Sequence, residues 1–155
     1  MDFWLYLTLN CKGCQNPQTH PFNSGRLFNE EAKKELFEAL DKPYIQGITF
    51  SGGHPLENEN LEEVYELIVE VRDRFPEKDI WLYTGLKWEN IMNSPLKDMN
   101  TTLRKRIVEL CDVVVDGAYI EALKDITLKW CGSTNQRIIN IPKTLEQNEI
   151  VLYNK

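Results

Sequence analysis

Two cysteines separated by two residues, Cys11 and Cys14 in the stretch CKGCQNP, are the side chains of this chain best suited to chemistry. That spacing lets two thiolates meet one metal centre. Four readings follow from the pair itself: ligands of an iron–sulfur cluster, ligands of zinc, a redox couple, or structural thiols. A redox couple usually has a helix N-terminus behind it that stabilises the thiolate, and the following QNPQTHPFNSG is a poor helix start. Structural zinc takes four ligands, and Cys111 and Cys131 are the only other cysteines. Cys111 lies between a helical stretch and an apolar run and reads as a core thiol. Cys131, beside Gly132 in a loop, stays open as a further ligand. The weight falls on iron–sulfur ligation, with the other three readings open.

Further candidates stand where apolar runs end. In SGGHP, Ser51, Gly52 and Gly53 follow a strand-like run directly, and paired glycines let backbone approach a ligand closely. A sharp strand-to-helix turn explains the same residues equally well. His54 reads as a solvated turn histidine, with ligand or base as the alternative, and His20 near the cysteine loop is equally ambiguous. Thr84 in YTG and Asp116 in DG read as strand ends able to hydrogen-bond a polar ligand. The segment GSTNQR, residues 132–137, packs many donors together. It suits an anionic group or a partner, and it suits a surface turn.

The elements that must position these residues follow from periodicity. Residues 3–9 form an apolar, β-prone run that enters a long loop rich in Pro, Asn and Gly. Asn29 is the N-cap of a helix reaching about residue 40. Residues 45–50 form a second strand, and Leu61, Val64, Tyr65, Ile68, Val71 and Phe75 make the stripe of an amphipathic helix closed by Pro76. A third strand spans 79–83, short helical stretches cover 88–92 and 101–110, and a fourth strand spans 112–115. A loop through WCGSTNQR then leads to a final strand at 149–153. Alternation of strand and helix at this spacing predicts a single α/β domain with a mostly parallel sheet. In such sheets ligands bind beyond the carboxyl ends of the strands, so four loops carrying Cys, Gly, His, Thr and Asp converge on one edge.

Composition narrows the class. The chain has 155 residues, 42% hydrophobic and 27% charged, which suits one soluble domain with a core of its own. A net charge of -6 excludes phosphate-backbone binding as the main task, so no nucleic-acid partner is expected. No apolar run approaches the roughly 20 residues needed to span a bilayer, and no membrane partner is expected. The start MDFWLYLTLNCKGC has no basic region and no small-residue cleavage site. A cytoplasmic location is expected, where cysteines serve as thiols or ligands rather than disulfides.

Taken in order, CKGCQNP, SGGHPL, FPEKDIWLYTG, DVVVDG and KWCGSTNQRI resemble the anaerobic ribonucleoside-triphosphate reductase activating proteins, a radical S-adenosylmethionine family. The resemblance implies an abbreviated radical-SAM partial barrel over residues 1–155. It implies a [4Fe–4S] cluster and S-adenosyl-L-methionine as cofactors. It also implies the reductase large subunit as partner and an electron donor such as flavodoxin. Reductive cleavage of S-adenosylmethionine would yield a 5′-deoxyadenosyl radical that takes hydrogen from a glycine of the reductase. By position, Cys11 and Cys14 match the second and third cysteines of the family's C-x₃-C-x₂-C motif. Gly13 and Gln15 flank Cys14 beside S-adenosylmethionine. Ser51, Gly52 and Gly53 match the segment receiving its methionine part, and Thr84 and Asp116 match strand ends facing the same cavity. The position of the first cysteine holds Leu7, or Thr8 with a one-residue gap, and His54 stands at a usually acidic position. The rival from another class is a catalytically silent binding protein that keeps this fold.

Cys14→Ala is expected to abolish bound iron, because one remaining cysteine of the pair cannot hold a cluster. Unchanged iron content by elemental analysis would remove the ligand assignment.

Overall fold

The computed structural model describes residues 28–52 and 54–153. Chain entry is set by Asn29, whose side chain accepts a hydrogen bond from the Ala32 amide at 2.9 Å, capping α1 (Glu30–Leu40). The chain continues through β1 (Gly47–Phe50), α2 (Leu61–Arg74), β2 (Asp79–Tyr83), α3 (Trp88–Met92) and α4 (Met99–Glu109). It ends in β3 (Val113–Asp116), β4 (Arg137–Asn140) and α5 (Ile141–Gln147). The strands form one sheet in the order β1-β2-β3-β4. The first three are parallel, with Phe50 opposite Leu82 and Tyr83 opposite Val115, and β4 runs antiparallel to β3. This is the expected α/β class with a mostly parallel sheet.

The pleat sorts the strand residues. Phe50, Ile80, Leu82, Val114 and Ile139 join one apolar cluster with Phe37, Leu40, Leu61, Ile68, Val71, Ile107 and Val108. Helices α1, α2 and α4 therefore contribute to the same side of the sheet. Val113 and Val115 are also buried but lie outside that cluster, on the opposite face with Trp81 and Tyr83. There the Trp130 and Tyr153 rings pack on Trp81, with centroids 5.5 Å and 5.2 Å away. All four residues of β3 are buried, which explains its continuous valine run.

Two expectations fail at the C-terminal end. Residues 149–153 make only an isolated bridge, Leu152 to Ile139, and not a strand. The fourth strand of the sheet is instead RIIN at Arg137–Asn140, followed at once by α5. RIIN becomes a strand through its pairing with β3 rather than through a pattern of its own. Asn140 caps α5, accepting from the Lys143 amide at 3.1 Å, with Pro142 in the first turn. The strand expected at 3–9 and the cysteine loop lie outside the described residues.

The amino-terminal edge of the sheet is fastened by one arginine. Arg72 of α2 donates from Nε and Nη2 to the Leu110 carbonyl at 2.9 Å and 2.7 Å, and from Nη1 to the Lys78 carbonyl at 3.1 Å. Its Nη2 also meets Asp112 Oδ2 at 2.7 Å, the oxygen that accepts from the Ile80 amide. Helix α2 is thus tied to the starts of β2 and β3. Arg72→Met is expected to lower the unfolding free energy by about 2–3 kcal/mol, since it leaves several part-buried acceptors without a donor. A urea midpoint equal to that of the parent would refute this role.

Candidate functional site

Because β1, β2 and β3 are parallel, their carboxyl ends share one edge. The turn after β1 exposes Ser51 and Gly52. Gly52 has φ +98°, a left-handed conformation that favours glycine, and no heavy atom of the described residues stands within 4 Å of where its Cβ would be. Gly53 lies outside the described residues.

His54 is not the solvated turn histidine that the sequence suggests. It is 6% exposed, packed beside the fully buried Leu56, with its carbonyl accepting from Asn60 Nδ2 at 2.8 Å. Its Nδ1 lies 3.1 Å from Glu57 Oε1 and its Nε2 lies 2.8 Å from Thr84 Oγ1. Burial pushes the imidazole pKa below its ordinary value; the Glu57 contact opposes this and the Arg104 charge adds to it. The neutral ring carries one proton, and a carboxylate oxygen only accepts, so that proton sits on Nδ1. Nε2 then accepts from the Thr84 hydroxyl, whose oxygen accepts from the Leu86 amide at 3.1 Å. Thr84 stands at the strand end as expected, with its hydroxyl committed to this chain.

Asp116 ends β3 and is 1% exposed. Its Oδ2 accepts from the Trp88 amide at 2.8 Å at the start of α3, and Arg137 across the strand pair contacts both carboxylate oxygens, donating from Nε to Oδ1 at 3.0 Å. Arg137 also holds Glu89 with two bonds of 2.8 Å. Those bonds are the main reason that the Glu89 carboxyl falls to about 2, and the paired carboxylates raise the Arg137 pKa. Asp116 is at the expected edge, and its carboxylate is engaged by Arg137 and Trp88. Sequence reading had Arg137 only as part of the donor-rich segment 132–137 and missed Glu89; the register of β4, which places Arg137 opposite Asp116, is what brings them together.

Residues 132–137 fold back onto the exit of β3. Gln136 Oε1 accepts from the Gly132 and Ser133 amides at 2.9 Å and 3.2 Å, and its Nε2 donates to the Gly117 carbonyl at 3.0 Å. Asn135 Nδ2 donates to the Ala118 carbonyl at 2.7 Å. Most of the donors read as a grip for an anion are thus turned inward, holding Gly117 at φ +91°. Asn135 Oδ1 remains buried with no partner among the described residues, an acceptor left over at this edge.

The thiols divide sharply. Cys111 is the core thiol expected: buried, donating to the Ile107 carbonyl at 3.2 Å, and pushed up to about 12 by burial. Cys131 is partly exposed next to Trp130, whose carbonyl accepts from the Tyr83 hydroxyl at 2.7 Å, and burial raises its pKa. Among the described residues no group of three or more His, Cys, Asp or Glu is placed to hold a metal. Cys11, Gly13, Cys14, Gln15 and His20 lie outside them. CKGC offers two thiolates at metal-binding spacing, and neither Leu7 nor Thr8 offers a third.

The family model described as a 4Fe-4S single cluster domain matches residues 4–139. The anaerobic ribonucleoside-triphosphate reductase-activating protein of Enterobacteria phage T4 is 42% identical over 128 residues, covering 83% of this chain and 74% of its own length. The protein of the same name from Escherichia coli K12 is 37% identical over 128 residues, with 81% and 77% covered. That from Haemophilus influenzae is 33% identical over 130 residues, with 83% and 78% covered. No solved structure matches the chain. Among the described residues no helix is long and apolar enough to cross a membrane.

Arg137→Met leaves the Asp116 carboxylate buried without its cationic partner, and a loss of about 3 kcal/mol or more in stability is expected. Glu89→Gln, at an exposed site, is expected to cost under about 1 kcal/mol. Equal losses for the two variants in denaturant titration would show that Asp116 does not depend on the arginine.

Proposed function

The chain belongs to the anaerobic ribonucleoside-triphosphate reductase-activating proteins, and on that premise we propose that it cleaves S-adenosylmethionine reductively, using a [4Fe–4S] cluster, and leaves a glycyl radical on the reductase large subunit. When bound, the cluster supplies the single electron that breaks the sulfonium; the protein's share is to bind, orient and exclude water. The observation that carries the reading is the shared carboxyl edge of β1, β2 and β3, with Gly52 exposed among the described residues and fixed side chains at Thr84 and Asp116.

In this proposal Cys11 and Cys14 bind iron, with Gly13 and Gln15 beside S-adenosylmethionine. Ser51, Gly52 and Gly53 receive its methionine part. Thr84 and Asp116 act from the strand ends, the first fixing the turn after β1 and the second fixing α3 and β4. Residues 1–155 work as one radical-SAM domain. Electrons come from a reduced donor such as flavodoxin, and a reducing cytoplasm is the compartment that such chemistry needs.

One observation favours a second reading. Leu7 offers iron no ligand where the family motif has its first cysteine, which suits a silent relative that keeps the fold and docks on a partner. Anaerobic reconstitution with iron and sulfide separates the two. The activase reading expects about four irons per chain and an EPR signal of the reduced protein that changes on adding S-adenosylmethionine. A folded chain that takes up no stoichiometric iron supports the silent relative and overturns the activase.

A further inference from the structure

Resting on the S-adenosylmethionine reading above, we propose that His54 is a positioning residue: its neutral ring latches the turn after β1 to the end of β2, and this latch sets the exposed Ser51–Gly52 backbone for the methionine part of the ligand. The latch is a continuous chain of hydrogen bonds. Glu57 Oε1 accepts from Nδ1, Nε2 accepts from the Thr84 hydroxyl, and Thr84 Oγ1 accepts from the Leu86 amide. Asn60 holds the His54 carbonyl from the other side. The same β2 end is fixed to β3, because the Thr84 amide donates to the Val115 carbonyl at 2.9 Å and the Gly117 amide donates to the Leu86 carbonyl at 3.1 Å. His54 is thus the side chain through which the turn after β1 joins an edge already assembled by β2 and β3. Gly52 stands two residues before it, with no heavy atom of the described residues within 4 Å of its Cβ position.

The latch has a polarity that protonation reverses. In the neutral ring Nε2 is an acceptor and the Thr84 hydroxyl hydrogen points at His54. In the imidazolium both nitrogens donate, so Nε2 gives its proton to Thr84 Oγ1 and the hydroxyl hydrogen must turn away. Among the described residues two charged groups act on the ring. Glu57 comes from its own turn, and Arg104 comes from α4, with its Nε donating to the Leu56 carbonyl at 2.9 Å and Nη2 reaching Asn58. The β2 end contributes the neutral Thr84. Burial outweighs Glu57, so the neutral form is the one present at pH 7. The sign of the stability effect follows. The folded-state pKa lies below the unfolded value of about 6.5, so the contribution is full above that value and is lost as pH falls through the folded-state pKa.

Two measurements test the proposal. In the chain without cofactors, ¹⁵N NMR at pH 7.5 is expected to find His54 Nε2 unprotonated. The Gly52 and Leu86 amides should shift with the same midpoint as the ring, below about 6.5. A protonated Nε2 at pH 7.5, or a Gly52 amide that ignores the titration of His54, overturns the latch. In the cluster-reconstituted chain, the S-adenosylmethionine dissociation constant is measured by calorimetry between pH 5 and pH 8 for the parent and for His54→Gln. The parent is expected to weaken about tenfold relative to the variant as pH falls, an effect the size of one lost hydrogen bond. The ligand's own titration is common to both proteins and cancels in the ratio. A flat ratio overturns the positioning role, and the parent titrations stand even if the variant fails to fold. A latch that titrates as described in a chain that binds no S-adenosylmethionine at any pH supports the latch and overturns the functional reading instead.

Discussion

The buried carboxylate of Asp116 is the point from which the rest of the edge is built. A carboxylate held at 1% exposure is tolerable only with its charge and lone pairs satisfied. Its partners come from two other elements, the Trp88 amide at the start of α3 and the guanidinium of Arg137 on β4. That requirement fixes the antiparallel register of β4 and the entry of α3. It also brings Glu89 onto the same arginine, forming a compact network of two acids and one base at the mouth of the sheet. Gly117 follows directly and is clasped by Gln136, so the exit of β3 has little freedom. A rigid floor of this kind is what a site at strand ends needs if its ligand is small and must be oriented.

Much of the fold was legible in the sequence because the central elements are strongly periodic. The stripe Leu61, Val64, Ile68, Val71 marked α2, and the valine run of β3 marked a strand buried on both faces. Asn29 announced α1 through its cap. What was not legible depended on pairing across the chain. RIIN becomes a strand only because β3 lies beside it, and the donors of residues 132–137 turn inward only because Gly117 and Ala118 present carbonyls to them. The burial of His54 has the same origin. Nothing local in SGGHP states that Thr84, thirty positions away, will stand 2.8 Å from the ring.

The candidate site was legible as a place before it was legible as a set of contacts. Strand ends in a parallel sheet converge by geometry, and Gly52, Thr84 and Asp116 do share that edge. Their roles differ from a simple list of ligand contacts. Thr84 and Asp116 hold the edge together, and Gly52 is exposed among the described residues. The layers make the same division of labour: helices cover one face of the sheet, and the other carries Trp81 and Tyr83 beneath Trp130 and Tyr153. The cysteines divide as well, with Cys111 buried and protonated while the CKGC pair alone has metal-binding spacing.

The central claim is that this edge serves radical transfer to the anaerobic reductase. The most direct test is EPR of the reductase large subunit after anaerobic incubation with the reconstituted, reduced chain and S-adenosylmethionine. The account expects a glycyl radical doublet that requires all three components, together with methionine and 5′-deoxyadenosine in the same mixture. A folded chain, carrying iron, that yields neither the doublet nor the cleavage products would contradict it.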